Sequence, residues 1–171
     1  MTQDALLVID MQVGAFEGTW AMPDGPSLID ACQRAVTWAR DRAAAVIWVQ
    51  HHEPEGPMSG AGFAIDPRLS PQADEPRVLK MEPDAFSNAA LAPLLAGKAR
   101  VLVVGLQSEV CVRATALGGL AVGFAMTLVA ESHHTWPAGD RTAAQVRDGV
   151  NTELSQAGVP LVSLADLEGA R

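Results

Sequence analysis

The sequence predicts an α/β fold, a three-layer α/β/α sandwich with a mainly parallel sheet of about six strands. One observation is that short apolar runs, typical of strands covered on both faces, recur along the 171 residues. A second is that segments with helical periodicity lie between most of these runs. Strands that alternate with helices pair in parallel through right-handed crossovers, which places helices on both faces of the sheet.

The composition fits one domain, residues 1–171, with an aliphatic core. Hydrophobic residues make up 49% of the chain and aromatic residues only 5%, so the core is expected to consist mainly of alanine, valine and leucine. The net charge of −8 argues against nucleic acid and anionic membranes as partners. The two cysteines are too few for a disulfide scaffold and no signal peptide is recognisable, so we expect a cytoplasmic protein.

The first quarter of the chain predicts two buried strands with a helix between them. The first strand is predicted at residues 5–9 and ends at Asp10. Residues 11–26 are rich in glycine and proline and are predicted as a loop. A helix with one apolar face follows, with Ser27 as its N-cap. The second strand is predicted at residues 45–49.

A long connection rich in proline and glycine occupies residues 51–77. Connections of this length are uncommon inside a compact domain and often cover a site. The rest of the chain again alternates between strands and helices. We predict strands at residues 77–80, 100–105, 125–130 and 159–163, helices at 89–95, from about 109 to 123 and at 140–157, and a loop at 131–139.

Three chemically capable side chains follow predicted strands. Asp10 ends the first strand, Lys80 ends the short third strand, and Cys111 lies in the turn after the central strand. Ligands of parallel α/β sheets bind beyond the carboxyl ends of the strands, so the sequence predicts that these three side chains meet there. Cys111 also falls in the first turn of a helix, whose free N–H groups favour a thiolate.

These residue types fit nucleophilic catalysis. A cysteine nucleophile needs a neighbouring base and a positive field, which Asp10 and Lys80 can supply. Lysine occurs at only two positions of the chain, and an arginine could not exchange protons in the same way. The alternatives are that Asp10 and Lys80 form only a structural ion pair, and that Cys111 is a small buried residue on an apolar helix.

Several segments carry a resemblance to a known family. They are residues 6–12 with Phe16, residues 79–80 followed by 84–86, residues 104–116, residues 129–136, and residues 144–151. Together they resemble the isochorismatase-like cysteine hydrolase superfamily, which includes nicotinamidase and N-carbamoylsarcosine amidase. The resemblance covers most of the chain, and residues 104–116 match most fully.

The resemblance implies a hydrolase of small amide or carbamoyl compounds. In it Cys111 would be the nucleophile, Asp10 the general base and later the proton donor, and Lys80 the group that stabilises the charged states. It also implies a cis peptide bond between Leu106 and Gln107, which would aim the Gln107 N–H, with that of Cys111, at the developing oxyanion. A thioester intermediate and a small-molecule substrate follow from the same likeness.

Further residues are expected at the substrate site. Phe16 and Phe86 would supply apolar walls, or else belong to the core. His133 would line the pocket mouth or a subunit contact, or else lie in a surface loop. Members of the family are commonly oligomeric, so we expect a homodimer or larger homo-oligomer.

We expect no metal and no other cofactor. Some nicotinamidases bind a metal through an Asp-x-His pair at this place, whereas this chain has His51, His52 and Glu53, which we interpret as solvated loop residues. Two other functions stay open. One is acid-catalysed hydrolysis of a vinyl ether, as in isochorismatases, which lack the cysteine. The other is a non-catalytic binding or assembly module on the same fold.

Overall fold

The structure is a computed structural model that describes residues 3–169. In this part of the chain six strands and five α-helices follow one another in the order β1 (Ala5–Ile9), α1 (Gly25–Asp41), β2 (Ala45–His51), β3 (Arg77–Lys80), α2 (Leu91–Leu95), β4 (Val101–Leu106), α3 (Arg113–Ala121), β5 (Met126–His134), α4 (Ala143–Gln156), β6 (Leu161–Val162) and α5 (Leu164–Gly169). None of the helices within residues 3–169 has the length and apolarity needed to cross a bilayer.

The strands form one parallel sheet in the order β3-β2-β1-β4-β5-β6. Helices α1 and α5 cover one face with a core that includes Leu28 and Leu164. Helices α2, α3 and α4 cover the other face, where Leu91, Val112 and Leu154 are buried. The predicted three-layer α/β/α sandwich with a parallel six-stranded sheet is therefore confirmed.

The sheet order creates a crevice between β1 and β4. The chain moves outward from β1 to β2 and β3 on one side, and from β4 to β5 and β6 on the other. Loops that leave β1 and β4 therefore diverge, and such switch points are where parallel sheets bind ligands. Gly105 at this place has φ +121°, and a Cβ there would lie 2.1 Å from Ile9 O. Only glycine allows the two strands to pair so closely here.

Helix α1 begins earlier than predicted. Its N-cap is Asp24 rather than Ser27, and its first turn contains Pro26. Proline is well suited to this place, because the first N–H groups of a helix have no intrahelical partner. The glycines and prolines of residues 11–26 therefore mark the start of the helix as well as the loop before it.

Strand β5 is longer than predicted and continues through residues 131–134, which were predicted as loop. Val103 of β4 lies opposite Leu128, whereas Gly105 lies opposite His133, so β5 has extra residues between the two pairs. This bulge lets β5 resume its pairing with β4 after a polar segment. Strand β2 likewise extends to His51, beyond the predicted end at residue 49.

The connection from β2 to β3 contains two short 3-10 turns, Gly60–Phe63 and Pro67–Leu69, and no α-helix. The buried Gln12 side chain attaches it to the sheet. Its amide nitrogen donates to His51 O and Phe63 O, each at 3.0 Å, and its oxygen accepts from His51 N at 2.8 Å. Gln12 thereby holds part of the long connection over the carboxyl edge of the sheet.

Candidate active site

The structure brings Asp10, Lys80 and Cys111 together at the carboxyl edge of the sheet. Lys80 Nζ donates to Asp10 Oδ2 at 2.9 Å and to Cys111 Sγ at 3.2 Å. The Lys80 side chain has no exposed surface, and that of Asp10 is 5% exposed. The ammonium group therefore lies between the carboxylate and the thiol, and water is almost excluded from all three.

Each of the three side chains owes its place to the end of a strand. Asp10 directly follows β1 and has φ +53°, while its N–H still donates to Val49 O of β2. Lys80 is the last residue of β3 and lies opposite His51 of β2. Parallel strands end at one edge of the sheet, so residues far apart in the sequence become neighbours.

Cys111 lies in a wide turn between β4 and α3. The N–H of Val112 donates to Gln107 O, five residues earlier, at 3.1 Å, and that of Val110 donates to the same oxygen at 3.2 Å. The peptide bond between Leu106 and Gln107 is cis. We name residues 106–112 the nucleophile turn.

Burial dominates the protonation of the site. It raises the pKa of Asp10, although the Lys80 ammonium opposes the shift. Burial and then the charge of Asp10 raise the pKa of Cys111 to about 12, and Lys80 again opposes. The expectation from the helix N-terminus, a favoured thiolate, is therefore wrong for the free enzyme. These shifts favour the protonated thiol in the free enzyme, with Asp10 as the neighbouring group that can take its proton.

A cavity of about 540 Å³ opens onto Cys111 and Asp10. The nucleophile turn forms one wall, and Glu53, Pro57 and Met58 of the long connection form another. The remaining wall residues are Gly14, Ala15, Trp20, His51, Pro83, Thr135, Trp136, Pro137 and Ala138. The walls are mainly apolar, with a few polar groups near the thiol, as is usual for small-molecule sites.

His51 has a place that the sequence interpretation missed. It lines the cavity, and its Nδ1 lies 3.4 Å from Lys80 Nζ. His52 is exposed instead, with its ring edge-on to Phe63. Adjacent residues of a strand point to opposite faces, which explains the difference. Between residues 3 and 169 no three or more His, Cys, Asp or Glu side chains are grouped so that they could hold a metal ion.

The two predicted phenylalanine walls lie elsewhere. Phe86 stacks on Phe124 with ring centroids 5.5 Å apart and belongs to the core beneath α3. Phe16 packs against the core on the α1 face, with the Arg68 guanidinium 5.9 Å from its ring centroid. Neither ring lines the cavity around Cys111. The alternative expectation, that Phe16 and Phe86 belong to the core, is therefore the one that describes both side chains.

His133 is fully buried and does not line the cavity around Cys111 either. Its Nδ1 lies 2.8 Å from Ser108 Oγ and its Nε2 lies 2.8 Å from Asn151 Oδ1. Asn151 Nδ2 donates to Ala130 O, so its oxygen faces the imidazole and Nε2 carries the proton. Burial lowers the pKa of His133 to about 4, so the ring is neutral and accepts from Ser108. It supports the nucleophile turn from behind.

Sequence reasoning did not single out Glu109, Trp20 and Trp136 as cavity residues. A signal for the indoles was present, because both tryptophans stand in segments with glycine, proline and polar residues rather than in apolar runs. Their wall positions depend on the path of two loops. Glu109 stands within the best-matching motif, but its side-chain direction follows from the turn geometry.

Comparison with known proteins identifies relatives over nearly the whole chain. A sequence model of the Isochorismatase domain matches residues 4–166. The chain is 31% identical over 137 residues to a streptothricin hydrolase of Streptomyces noursei, which covers 77% of this chain and 50% of that protein. It thus spans about half the length of that relative. A nicotinamidase of Escherichia coli is 25% identical, with 98% of each chain covered.

Solved structures share the fold. An isochorismatase from Pseudomonas putida superposes with a TM-score of 0.87 at 24% identity and covers 95% of this chain and 89% of its own. A cysteine hydrolase from Pseudomonas syringae has a TM-score of 0.83 at 18% identity, with 99% and 94% covered. At these identities the likeness concerns the fold alone.

Proposed function

This chain belongs to the isochorismatase domain family, and we propose that it is a cysteine hydrolase that cleaves a small amide or carbamoyl C–N bond. That it is a hydrolase follows from its relatives, which include a streptothricin hydrolase and a nicotinamidase. The contact of Lys80 Nζ with both Asp10 and Cys111 at the cavity wall supports the finer assignment. A nucleophile, a base and a cation in direct contact are what thiol catalysis requires.

The proposed reaction begins with the transfer of the thiol proton to Asp10. Burial raises the pKa of this carboxyl, which suits it to accept a proton near neutral pH. Sγ of Cys111 then attacks the carbonyl carbon, and the carbonyl oxygen becomes an oxyanion. We assign its stabilisation to the N–H groups of Gln107 and Cys111, since both residues line the cavity and such donors are each worth about 2.7–4 kcal/mol of barrier.

The C–N bond breaks when Asp10 returns the proton to the leaving nitrogen. Ammonia or an amine departs, and a thioester on Cys111 remains. Asp10 then takes a proton from water, whose oxygen attacks the thioester carbon. The C–S bond breaks, the carboxylic or carbamic acid product leaves, and Asp10 returns the proton to the thiolate of Cys111. The Lys80 ammonium balances the negative charge that moves between Asp10 and Cys111. The substrate itself, the cytoplasmic location and the homo-oligomer stay predictions.

The alternative of acid catalysis on a vinyl ether would use Asp10 without the thiol. The position of Cys111 Sγ, 3.2 Å from the buried ammonium, favours the thiol mechanism. A purely non-catalytic module would not need a buried ion pair beside a thiol and a cavity, because buried charges carry a large desolvation cost.

A screen for ammonia release over primary amides, carbamoyl compounds and ureides tests the proposal. We expect Cys111→Ala to abolish turnover of any substrate found, because no thioester can form, and Cys32→Ala to retain it, because Cys32 lies fully buried in α1 away from the cavity. We expect a chelator to have no effect on the rate.

Mass spectrometry of the acid-quenched reaction should show the acyl group on the Cys111 peptide of the wild-type protein. Circular dichroism checks that Cys111→Ala is folded. Ammonia release that persists in folded Cys111→Ala would contradict the thioester mechanism.

A further inference from the structure

The charges around the cavity have one sign. Carboxylates of Asp10, Glu53 and Glu109 line it, whereas no lysine or arginine does among its wall residues. The nearby ammonium of Lys80 has no exposed surface, since it is enclosed by Asp10 and Cys111. A ligand in the cavity therefore meets negative charge, and a cleft with one sign of charge concentrates ligands of the opposite sign.

Glu109 is the carboxylate best placed to bind a ligand group. Asp10 Oδ2 is already paired with Lys80, although Asp10 Oδ1 has no hydrogen-bond partner, and Glu53 Oε1 accepts from Met58 N at 2.8 Å. In Glu109, Oε1 accepts from Thr135 Oγ1 at 2.9 Å, while Oε2 is buried and has no hydrogen-bond partner. A buried carboxylate oxygen without a donor is costly, and a rotation of the Glu109 side chain, which lines the cavity, would bring this oxygen to a donor on a bound ligand and remove that cost.

Two indole rings accompany this carboxylate at the cavity wall. Trp136 directly follows Thr135, and its Nε1 donates to Trp20 O at 3.1 Å, which connects the two tryptophans. Trp20 is 64% exposed, so its ring is open to solvent at the cavity wall. Indole faces attract cations, and the attraction adds to that of a nearby carboxylate.

We propose that the cavity selects amide or carbamoyl substrates that carry a protonated amine or another cationic group, which Glu109 binds, and that it rejects substrates that carry a carboxylate. This inference rests on the proposed hydrolase function, because it names the substrate class of the same site. Glu109 stands two residues before Cys111, so the cationic group would bind close to the scissile carbonyl. A short substrate can therefore reach both Cys111 and Glu109.

Thiol reagents of different charge test this proposal without a known substrate. The reagents are the 2-aminoethyl, methyl and 2-sulfonatoethyl methanethiosulfonates, which are cationic, neutral and anionic. Each transfers its thioalkyl group to a thiolate and releases methanesulfinate. Mass spectrometry of the Cys111 peptide measures the rate of modification by each reagent. The rate with the cationic reagent is divided by the rate with the anionic reagent. This charge ratio is then divided by the same ratio measured for a small neutral thiol, which corrects for the intrinsic reactivity of the reagents. The ratio cancels any change in the pKa of Cys111.

We expect a ratio of about ten or more for the wild-type protein at low salt, falling as salt is added. Glu109→Gln keeps the acceptor for Thr135 and removes only the charge, and it should lower the ratio several-fold. Glu55→Gln is the matched control, since Glu55 is exposed, belongs to the same long connection as Glu53, and does not line the cavity. It should leave the ratio unchanged.

A wild-type ratio near one, a preference for the anionic reagent, or a ratio equal in Glu109→Gln and wild type would overturn the proposal. So would failure of all three reagents to reach Cys111. If Glu109→Gln does not fold, the wild-type ratio and its salt dependence still decide. The hydrolase proposal fails separately, through turnover in Cys111→Ala. In the ammonia-release screen, amides that carry a terminal ammonium group should react faster than succinamate, which is the comparison amide with a terminal carboxylate.

Discussion

The nucleophile turn is supported on two sides by buried polar groups that differ in charge. On the cavity side, Lys80 forms an ion pair with Asp10 and contacts Cys111. On the far side, the chain of hydrogen bonds from Ser108 through His133 to Asn151 carries no net charge. Burial drives both sides toward neutral forms, because it raises the pKa of Asp10 and lowers that of His133.

The difference shows what the ammonium contributes. Without a counter-charge a buried titratable group becomes neutral, as His133 does, and then serves as a fixed hydrogen-bonding support. The Lys80 ammonium opposes the effect of burial on the pKa of Asp10, which favours a carboxylate that can move a proton. The charged side is therefore suited to chemistry and the neutral side to positioning. Variants on each side of the turn test this division.

Asp10→Asn should separate turnover from thiol reactivity. We expect turnover to fall by about 10²–10⁴-fold, because the amide cannot accept the proton of Cys111. The alkylation of Cys111 by iodoacetamide should become faster, because the charge of Asp10 raises the pKa of the thiol and Lys80 would then act on it alone. Steady-state kinetics and labelling rates at neutral pH measure the two effects.

Asp4→Asn is the matched control. Asp4 pairs with Arg100 at 2.7 Å, far from the thiol and with a side chain 23% exposed, so both rates should stay at the wild-type level. Slower alkylation of Cys111 in Asp10→Asn would mean that the carboxylate activates the thiol in the free enzyme, and it would contradict the separation between a charged and a neutral side of the turn.

The three proposed catalytic residues could be predicted from the sequence because they follow strands. The apolar runs identify where Asp10, Lys80 and Cys111 stand, and parallel pairing alone brings those strand ends to one edge. No knowledge of loop paths is needed for this step. The position of the strand ends also predicts that the crevice lies beyond the carboxyl edge of the sheet, but it does not predict which residues form the walls of the crevice.

The walls could not be predicted, because they depend on two irregular segments. The path of the long connection depends on Gln12, whose three hydrogen bonds join it to His51 and Phe63. His133 was expected near the pocket mouth because it follows the strand predicted at residues 125–130, whereas the bulge in β5 continues this strand and returns His133 to the sheet interior. Phe86 was expected at a wall of the substrate site, but an aromatic side chain near a motif can equally complete the core.

Asn151→Leu tests the neutral side of the turn. Leucine has a similar shape and cannot accept from His133, so a buried N–H loses its partner and the free energy of unfolding should fall by about 1–3 kcal/mol. With the turn less well fixed, kcat should fall on the order of tenfold while KM changes little. Urea unfolding and steady-state kinetics measure these quantities.

Thr152→Ala, next to it on the exposed surface of α4, is the control and should change neither quantity appreciably. The split between kcat and KM distinguishes positioning from simple loss of stability. If Asn151→Leu lowers stability but leaves kcat at the wild-type value, the support of the turn by His133 has no role in the reaction.

The last prediction concerns pH. The pKa of His133 is lowered from 6.5 to about 4 in the folded protein, so between these values the unfolded chain binds a proton that the folded chain does not. His133 therefore makes its full contribution to the free energy of unfolding only above pH 6.5. This contribution decreases as the pH falls toward 4. We expect the stability difference between wild type and His133→Gln to shrink by about 2 kcal/mol from pH 7 to pH 5. Urea unfolding at both pH values measures it, and a constant difference would show that His133 titrates equally in both states, which a neutral buried support cannot do.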